Sequence, residues 1–350
     1  MNRYVSLCSV LAVFIFGCGG SGSGVPVNST PLTRAVVLNR TGFDHVLPQG
    51  GGDSIIAGRA FTASGDTKAV LWSDASPEPI DLHPSGYLSS MAAAADGNNT
   101  VGEVFDGLKW AAAVWNGSSN SPTIIHPASG YTSTHAFGIS GLRIVGMGYE
   151  NVTERRALVW DGVNSQPRSL HNSELFSDTI ATDTDGVSVV GGGWWGGNWG
   201  FNSAIVWKGP GLVLTNLHPR DSMMRNTYAN AVSGNIVVGE GQLGNDFHAL
   251  AWRGTANSMV DLHPVSGYIS SYALAVRGST IVGSGWTGFT GDRALLWNGL
   301  NNQPVNLHDL LAGHALAFTS SEATDILENG DVVGSAVSAD GKTYAVRWTR

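Results

Sequence analysis

Val37-Leu38-Asn39-Arg40-Thr41-Gly42-Phe43 aligns position for position with Asp81-Leu82-His83-Pro84-Ser85-Gly86-Tyr87. Phe43 lies fifteen residues before Gly58, just as Tyr87 lies fifteen before Gly102. The second copy sits inside a repeat, whereas the first stands ahead of every complete unit. The repeat is marked by an alanine three residues before a tryptophan, at Trp72, Trp115, Trp160, Trp207, Trp252, Trp297 and Trp348. Steps between these anchors are 43, 45, 47, 45, 45 and 51 residues. A unit of this length is one supersecondary element that buries its faces only against copies of itself.

Further points hold the register. A glycine closes a β-branched run before each tryptophan, at Gly58, Gly102, Gly146, Gly191, Gly239, Gly283 and Gly334. A histidine follows each of the first six tryptophans by eleven residues: His83, His126, His171, His218, His263 and His308. Turn dipeptides such as Asp96-Gly97, Asp185-Gly186 and Asn329-Gly330 precede the glycines. Each unit therefore offers four short strands: Ser-x-Ala-x-Ala (a), Ile-Val-Gly (b), Ala-x-x-Trp (c) and the x-Leu-His segment (d). In Ala157-Leu158-Val159-Trp160 both faces are apolar, as in a strand covered on two sides. Four-stranded sheets packed face to face around an axis meet that requirement, which predicts a β-propeller. A β-solenoid competes, but a 45-residue coil with four turn signals is long for one.

The ends set the blade number. The chain stops after Trp348, so the seventh unit has strands a, b and c without d. Arg34 to Asn39 is the missing strand d, with Asn39 at the seventh histidine position. Pairing the first strand with the last three closes a seven-bladed ring and removes an open sheet edge. Truncating an anchor tryptophan to alanine should cost about 3–5 kcal/mol. Small residues on strand a fit strands that converge on an axis.

With 42% hydrophobic and 13% charged residues and 47 glycines, the composition is that of a turn-rich all-β chain. Net charge is −8 with no basic cluster, which excludes a phosphate backbone as partner. Both cysteines, Cys8 and Cys18, precede the repeats, so the globular part has no disulfide or cysteine metal site. Arg3 and the apolar run Leu11 to Phe16 read as a signal sequence, too short for a span of about 20 residues. Ile15-Phe16-Gly17-Cys18 resembles a bacterial lipobox, implying lipidation at Cys18, a signal over 1–18, a Gly/Ser-rich tether over 19–33 and a propeller over 34–350. An ordinary cleaved signal with an incidental cysteine is the competing reading.

The last unit, Ser321-Glu322-Ala323 through Asn329-Gly330 to Val332-Val333-Gly334 and Tyr344-Ala345-Val346-Arg347-Trp348, resembles the bacterial extracellular HAF repeat. His248-Ala249-Leu250-Ala251-Trp252 is similar to the fragment that names that family. The resemblance covers roughly residues 34 to 350 and departs at the Leu-His-Pro element. It implies a surface or secreted propeller-like protein and carries no catalytic residues.

Six histidines at one register invite a metal reading. On outermost strands, however, they stand around a ring and cannot share an ion. The expectation is that each bonds within its blade or packs beside the following d-to-a turn, with no metal or other cofactor. Asp183-Thr184-Asp185-Gly186 lacks the remaining oxygen donors of a calcium loop and reads as a hairpin turn. The features that break the repeat are more informative. Gly191 to Phe201 reads as a long b-to-c connection holding Trp194, Trp195 and Trp199. Trp286 and Phe289 occupy the same connection of blade 6, and Trp110 that of blade 2. The d-to-a turns carry Tyr87, Tyr131 and Tyr268, on the same rim. Aromatic clusters of this kind mark binding surfaces for sugar faces or peptides; rings that only cap blade cores are the alternative. Catalytic motifs are missing, and near strand a the carboxylates noted are Asp183, Glu322 and Asp325. The sequence thus reads as a monomeric, non-enzymatic envelope lipoprotein, touching the membrane only through its anchor and binding a glycan or surface protein. An extracellular lyase or glycosidase, or a purely structural scaffold, is the alternative.

Overall fold

The structure is a computed structural model that describes residues 30–350 apart from 53, 75, 196–201, 221, 222 and 289. The signal, Cys18, most of the tether, Trp199 and Phe289 lie outside the described residues. Seven four-stranded antiparallel sheets follow one another around an axis. Blade 2 is representative, with strands Ser89–Asp96, Asn99–Phe105, Trp110–Asn116 and Thr123–Ile124 from the inside outward. In blade 7 the amino-terminal strand Arg34–Val37 pairs with Thr343–Thr349, setting Arg34 opposite Thr349 and Val37 opposite Val346. The ring therefore closes as the aligned segments at 37–43 and 81–87 require. Outer strands are short, two residues in four of the blades, leaving little free edge for another chain to pair with.

A bulge at one place in every innermost strand explains the repeat glycine. In blade 3 the register skips between Ala136 and Gly138, and the other blades skip at the equivalent step. The bulge turns a strand-a carbonyl onto strand b. A Cβ on Gly146 would lie 1.9 Å from the His135 oxygen, one on Gly239 1.9 Å from that of Tyr228, and one on Gly283 1.9 Å from that of Tyr272. Only a residue without a side chain fits.

All seven anchor tryptophans are buried. Between blades 1 and 2, Trp115, Ala113 and Val104 pack on Ala57, Ala69 and Leu71, so the alanine three residues before one tryptophan belongs to the surface that receives the next. The indoles also bond across the blades. Trp115 Nε1 donates to the Leu82 carbonyl at 2.9 Å, and Trp160, Trp207, Trp297 and Trp348 donate to Ile125, Leu170, Leu262 and Leu307 at 3.0–3.1 Å. Trp252 breaks the rule: its indole nitrogen is buried with no partner among the described residues, and nothing in the structure explains the exception.

The histidines bond to the next blade rather than within their own, and His83 also reaches the following d-to-a turn, the other arrangement expected. The Leu82 amide donates to the Ala69 carbonyl at 2.9 Å, and the chain then leaves the sheet. That departure strips the Ala69 N–H of its ladder partner. Ser90, on the innermost strand of blade 2, accepts it at 2.9 Å. The same hydroxyl lies 2.8 Å from His83 Nδ1, while His83 Nε2 donates to the Tyr87 carbonyl at 3.1 Å. With the imidazole proton on Nε2, the hydroxyl must donate to Nδ1, and the proton order is fixed throughout. His126 with Thr134, His171 with Thr179, His218 with Thr227, His263 with Ser271 and His308 with Ser321 repeat the contact at 2.8–3.1 Å. Each of those hydroxyls likewise accepts an alanine amide. Burial pushes His126, His171, His218, His263 and His308 below the usual histidine range, which keeps Nδ1 an acceptor.

The closing seam replaces this pair as a unit. Asn39 stands for the histidine and Val46, opposite Ala60 as Ser90 is opposite Val104, stands for the hydroxyl. Other contacts join blades 7 and 1: Lys342 with Asp44 at 2.9 Å, Arg347 with Asp74, and the Gly51 amide with Asp325 at 2.7 Å.

Replacing Gly146 by alanine should destabilise the fold by about 1–3 kcal/mol or more, because the clash is with backbone carbonyl oxygen. Urea unfolding followed by tryptophan fluorescence measures it; a variant as stable as the parent would contradict the bulge account.

Candidate functional site

Within this uniform frame one cross-strand pair differs in every blade. It comprises the strand-a residue that follows the relay hydroxyl and the strand-b residue that follows the repeat glycine. The seven pairs are Leu47/Arg59, Met91/Glu103, His135/Met147, Ile180/Gly192, Tyr228/Glu240, Tyr272/Ser284 and Glu322/Ser335. They lie on the two inner strands, toward the face where b-to-c connections emerge, and so surround the mouth of the axis.

The arc formed by blades 1–4 is basic and aromatic. Glu103 accepts a hydrogen bond from His135 Nδ1. The His135 ring stacks on Phe137 at 6.0 Å, meets the edge of Tyr149 at 5.9 Å and tilts against Trp110 at 6.3 Å. Trp110 itself stacks on Phe105 at 5.0 Å. Phe137, Ile180, Met147 and Trp194 form an apolar patch beside them. The Arg155 guanidinium lies 4.1 Å above the Trp194 ring, a cation–π contact.

The arc formed by blades 5–7 carries carboxyl groups. Glu240 is pushed up to about 7 by burial, against a hydrogen bond from Asn230. Glu322 is pushed up to about 7 by burial and then by nearby Asp292, while Ser284 donates to it at 3.1 Å. Burial, followed by Glu240, Asp292 and Glu322, pushes Tyr272 up to about 12. Glu240 and Glu322 keep some accessible surface, but protein surrounds them, so that surface faces the enclosed axis and burial governs. Phe247 stacks on Tyr272 at 5.7 Å.

Among the residues expected on the rim, Trp110 and Trp194 join this mouth through the His135–Phe137 contact. Trp195 is 42% exposed, with its indole N–H on Ser203 at 3.0 Å and its ring against the Phe176 edge at 5.2 Å. Trp286 ends a strand of blade 6 and is 40% exposed. Tyr87, Tyr131 and Tyr268 are half-buried on interblade clusters. Tyr131 and Tyr268 cover Gly148 and Gly285, where a Cβ would come within 2.6 and 2.5 Å of the rings. The long connection of blade 4 is shorter than its sequence suggested, because Gly191 to Trp194 continue strand b. Gly193 stays in that strand by leaving room for the Phe176 ring.

Asp183 and Asp325 lie away from the mouth, just past the bulges, and hold blades together. Asp183 Oδ2 accepts the Val232 amide at 2.9 Å, and Asp325 accepts those of Gly51 and Ile326 at 2.7 Å each. Arg59, Glu103, His135, Tyr228, Glu240, Tyr272 and Asp292 were not singled out in the sequence. The signal for most of them was their variability at fixed register in an otherwise uniform repeat.

No family model matches this chain, and no curated protein matches it. Solved structures do. The chain is similar to the β-propeller domain of the Trilobed protease from Pyrococcus furiosus, at 10% identity and a TM-score of 0.58, covering 87% of this chain and 93% of that one. A prolyl endopeptidase structure matches at 11% identity and a TM-score of 0.61, covering 88% and 48%. An acylaminoacyl peptidase from Pyrococcus horikoshii matches at 9% and 0.55, covering 89% and 52%. TolB from Acinetobacter baumannii matches at 12% and 0.49, covering 85% of this chain and 64% of that one. The chain thus spans about half the length of the two peptidase chains. At these identities the likeness shows the fold alone: a propeller scaffold.

Burial pushes the Asp325 carboxyl up to about 7 from 3.8, chiefly by desolvation. The folded state therefore holds this proton when the unfolded chain has lost it. Its stabilising contribution is complete below pH 4 and is lost as pH rises to 7, on the order of a few kcal/mol. In Asp325→Asn that loss should disappear. Unfolding free energies at pH 5 and pH 8 should fall more in the parent than in the variant, and equal falls would contradict the assignment.

Proposed function

We propose that this chain is an exported lipoprotein of HAF-repeat type that binds a glycan at the axial mouth without transforming it. The observation that carries the reading is the placement of variation. The packing positions repeat from blade to blade, whereas the mouth pairs differ in all seven and include tyrosines, carboxylates, His135 and Arg59. Flat rings at Trp110, Trp194 and Tyr272, interspersed with donors and acceptors, suit the apolar face and hydroxyl rim of a sugar.

The path of the amino terminus supports the membrane arrangement. Thr30, Pro31 and Leu32 line a cavity with Ser279, Gly299 and Gly330, which belong to turns on the face opposite the mouth. A lipid on Cys18, twelve residues upstream of Thr30, would tether that opposite face at a root-mean-square distance of about 20 Å from the membrane. The mouth then points outward.

A second reading, a glycoside-cleaving enzyme, is favoured by Glu240 and Glu322, two carboxyls held near 7 in the mouth. A glycan array with the protein and its Trp110→Ala/Trp194→Ala variant separates the possibilities. Retention of selected glycans, reduced about tenfold or more in the variant, is the expected result. A variant that binds like the parent would remove the mouth as the site. Reducing-sugar release that disappears in Glu322→Gln would establish the enzyme instead.

A further inference from the structure

The part of the mouth on blades 1–3 holds polar atoms that the fold itself leaves unused. His135 is 9% exposed and Glu103 7%. The Nδ1 proton of His135 is committed to Glu103, which leaves Nε2 for another partner. That Nε2 is buried without a partner. Arg59 Nε is also buried without a partner. Among the described residues Arg59 makes no ion pair; its Nη1 reaches only the Met91 sulfur at 3.7 Å, and its guanidinium lies 5.8 Å from the Phe61 ring. Burial pushes it below the usual arginine range, with Glu103 close enough to oppose the shift. Unsatisfied buried polar groups of this kind cost on the order of 1–3 kcal/mol each, and a ligand that supplies their partners recovers that cost.

The ligand must accept from Arg59 Nε, hydrogen-bond to His135 Nε2 and offer an apolar face to Trp110. Glu103 lies close enough to offset part of the Arg59 charge, which favours a neutral acceptor. We propose that Arg59, Glu103 and His135 form a subsite for an N-acetylhexosamine residue. With a small side-chain shift that uncovers them, the acetamido carbonyl accepts from Arg59 Nε, a ring hydroxyl hydrogen-bonds to His135 Nε2, and the sugar face lies against Trp110. Met91 and Phe105 provide apolar surroundings for the acetyl methyl group. The proposal rests on the glycan-binding reading and assigns the sugar class for one part of the mouth.

Calorimetric titration of the full chain with chitotetraose, cellotetraose and tetragalacturonate tests it. The first two share their linkage and differ only in the acetamido group. Chitotetraose should bind about 10- to 100-fold more tightly than cellotetraose. Arg59→Gln should bring the two together, while Leu142→Ala, on an exposed turn of the opposite face, should keep the preference. Thermal midpoints show that each variant is folded, and the comparison of ligands on the parent needs no variant. Equal binding of both tetraoses, with loss of both in Trp110→Ala/Trp194→Ala, would overturn the subsite and leave glycan binding standing. Tighter binding of tetragalacturonate would replace it with an anion site. If none of the three binds and the array is also blank, both proposals fail.

Discussion

One backbone amide per blade is orphaned by the geometry of the sheet, and the way it is satisfied sets much of the repeat. Where strand d leaves the blade, the alanine N–H of strand c loses its ladder partner. A buried, unpaired amide is costly, and both the alanine and the hydroxyl residue are buried between packed sheets. The hydroxyl from the next blade supplies the acceptor, and the histidine at the end of strand d accepts that hydroxyl's proton. Three residue types at three register points are thereby bound to one another. The tryptophan adds a second bond over the same junction, from its indole to the carbonyl of the residue before the histidine. Blade-to-blade cohesion is thus directional as well as hydrophobic; the relay uses the same atoms at six junctions, and the indole bond joins it at five of them, Trp252 being the exception.

The seventh junction shows that the arrangement is a unit. Where the ring closes between the two ends of the chain, histidine and hydroxyl are replaced together by Asn39 and Val46. Keeping either one alone would bury a polar group opposite an apolar one. Asn39 turns its amide to Glu78 and its carbonyl to the Trp72 indole. The lost relay is offset by ion pairs and by the buried Asp325.

Much of this was legible in the sequence, because packing positions in a repeat print themselves seven times. The anchor tryptophans, the orphan strand at 34–39 and the small residues of strand a all followed from spacing. The partners of the histidines did not, because His83 and Ser90 are close in sequence yet belong to different blades. The glycines were visible as punctuation, but their cause, a carbonyl turned by a bulge, exists only in three dimensions. The mouth was hardest to read. In the sequence Trp110 and Trp194 stand out as rings that break the pattern, whereas Glu103 and Glu240 each follow the repeat glycine like any other variable residue. Tyr131 and Tyr268 resembled a binding rim in sequence and instead sit on glycines of their blades. Variation at a fixed register, rather than residue type, separates the proposed binding surface from scaffold here.

A double-mutant cycle on His171 and Thr179 tests the relay most directly. The account predicts that His171→Asn and Thr179→Val, the residues found at the closing seam, are strongly non-additive. Together they should cost less than the sum of the two single changes, by about 0.5–3 kcal/mol in urea unfolding. Additive costs would show that histidine and hydroxyl act separately, and would contradict the view that one shared proton path joins the blades.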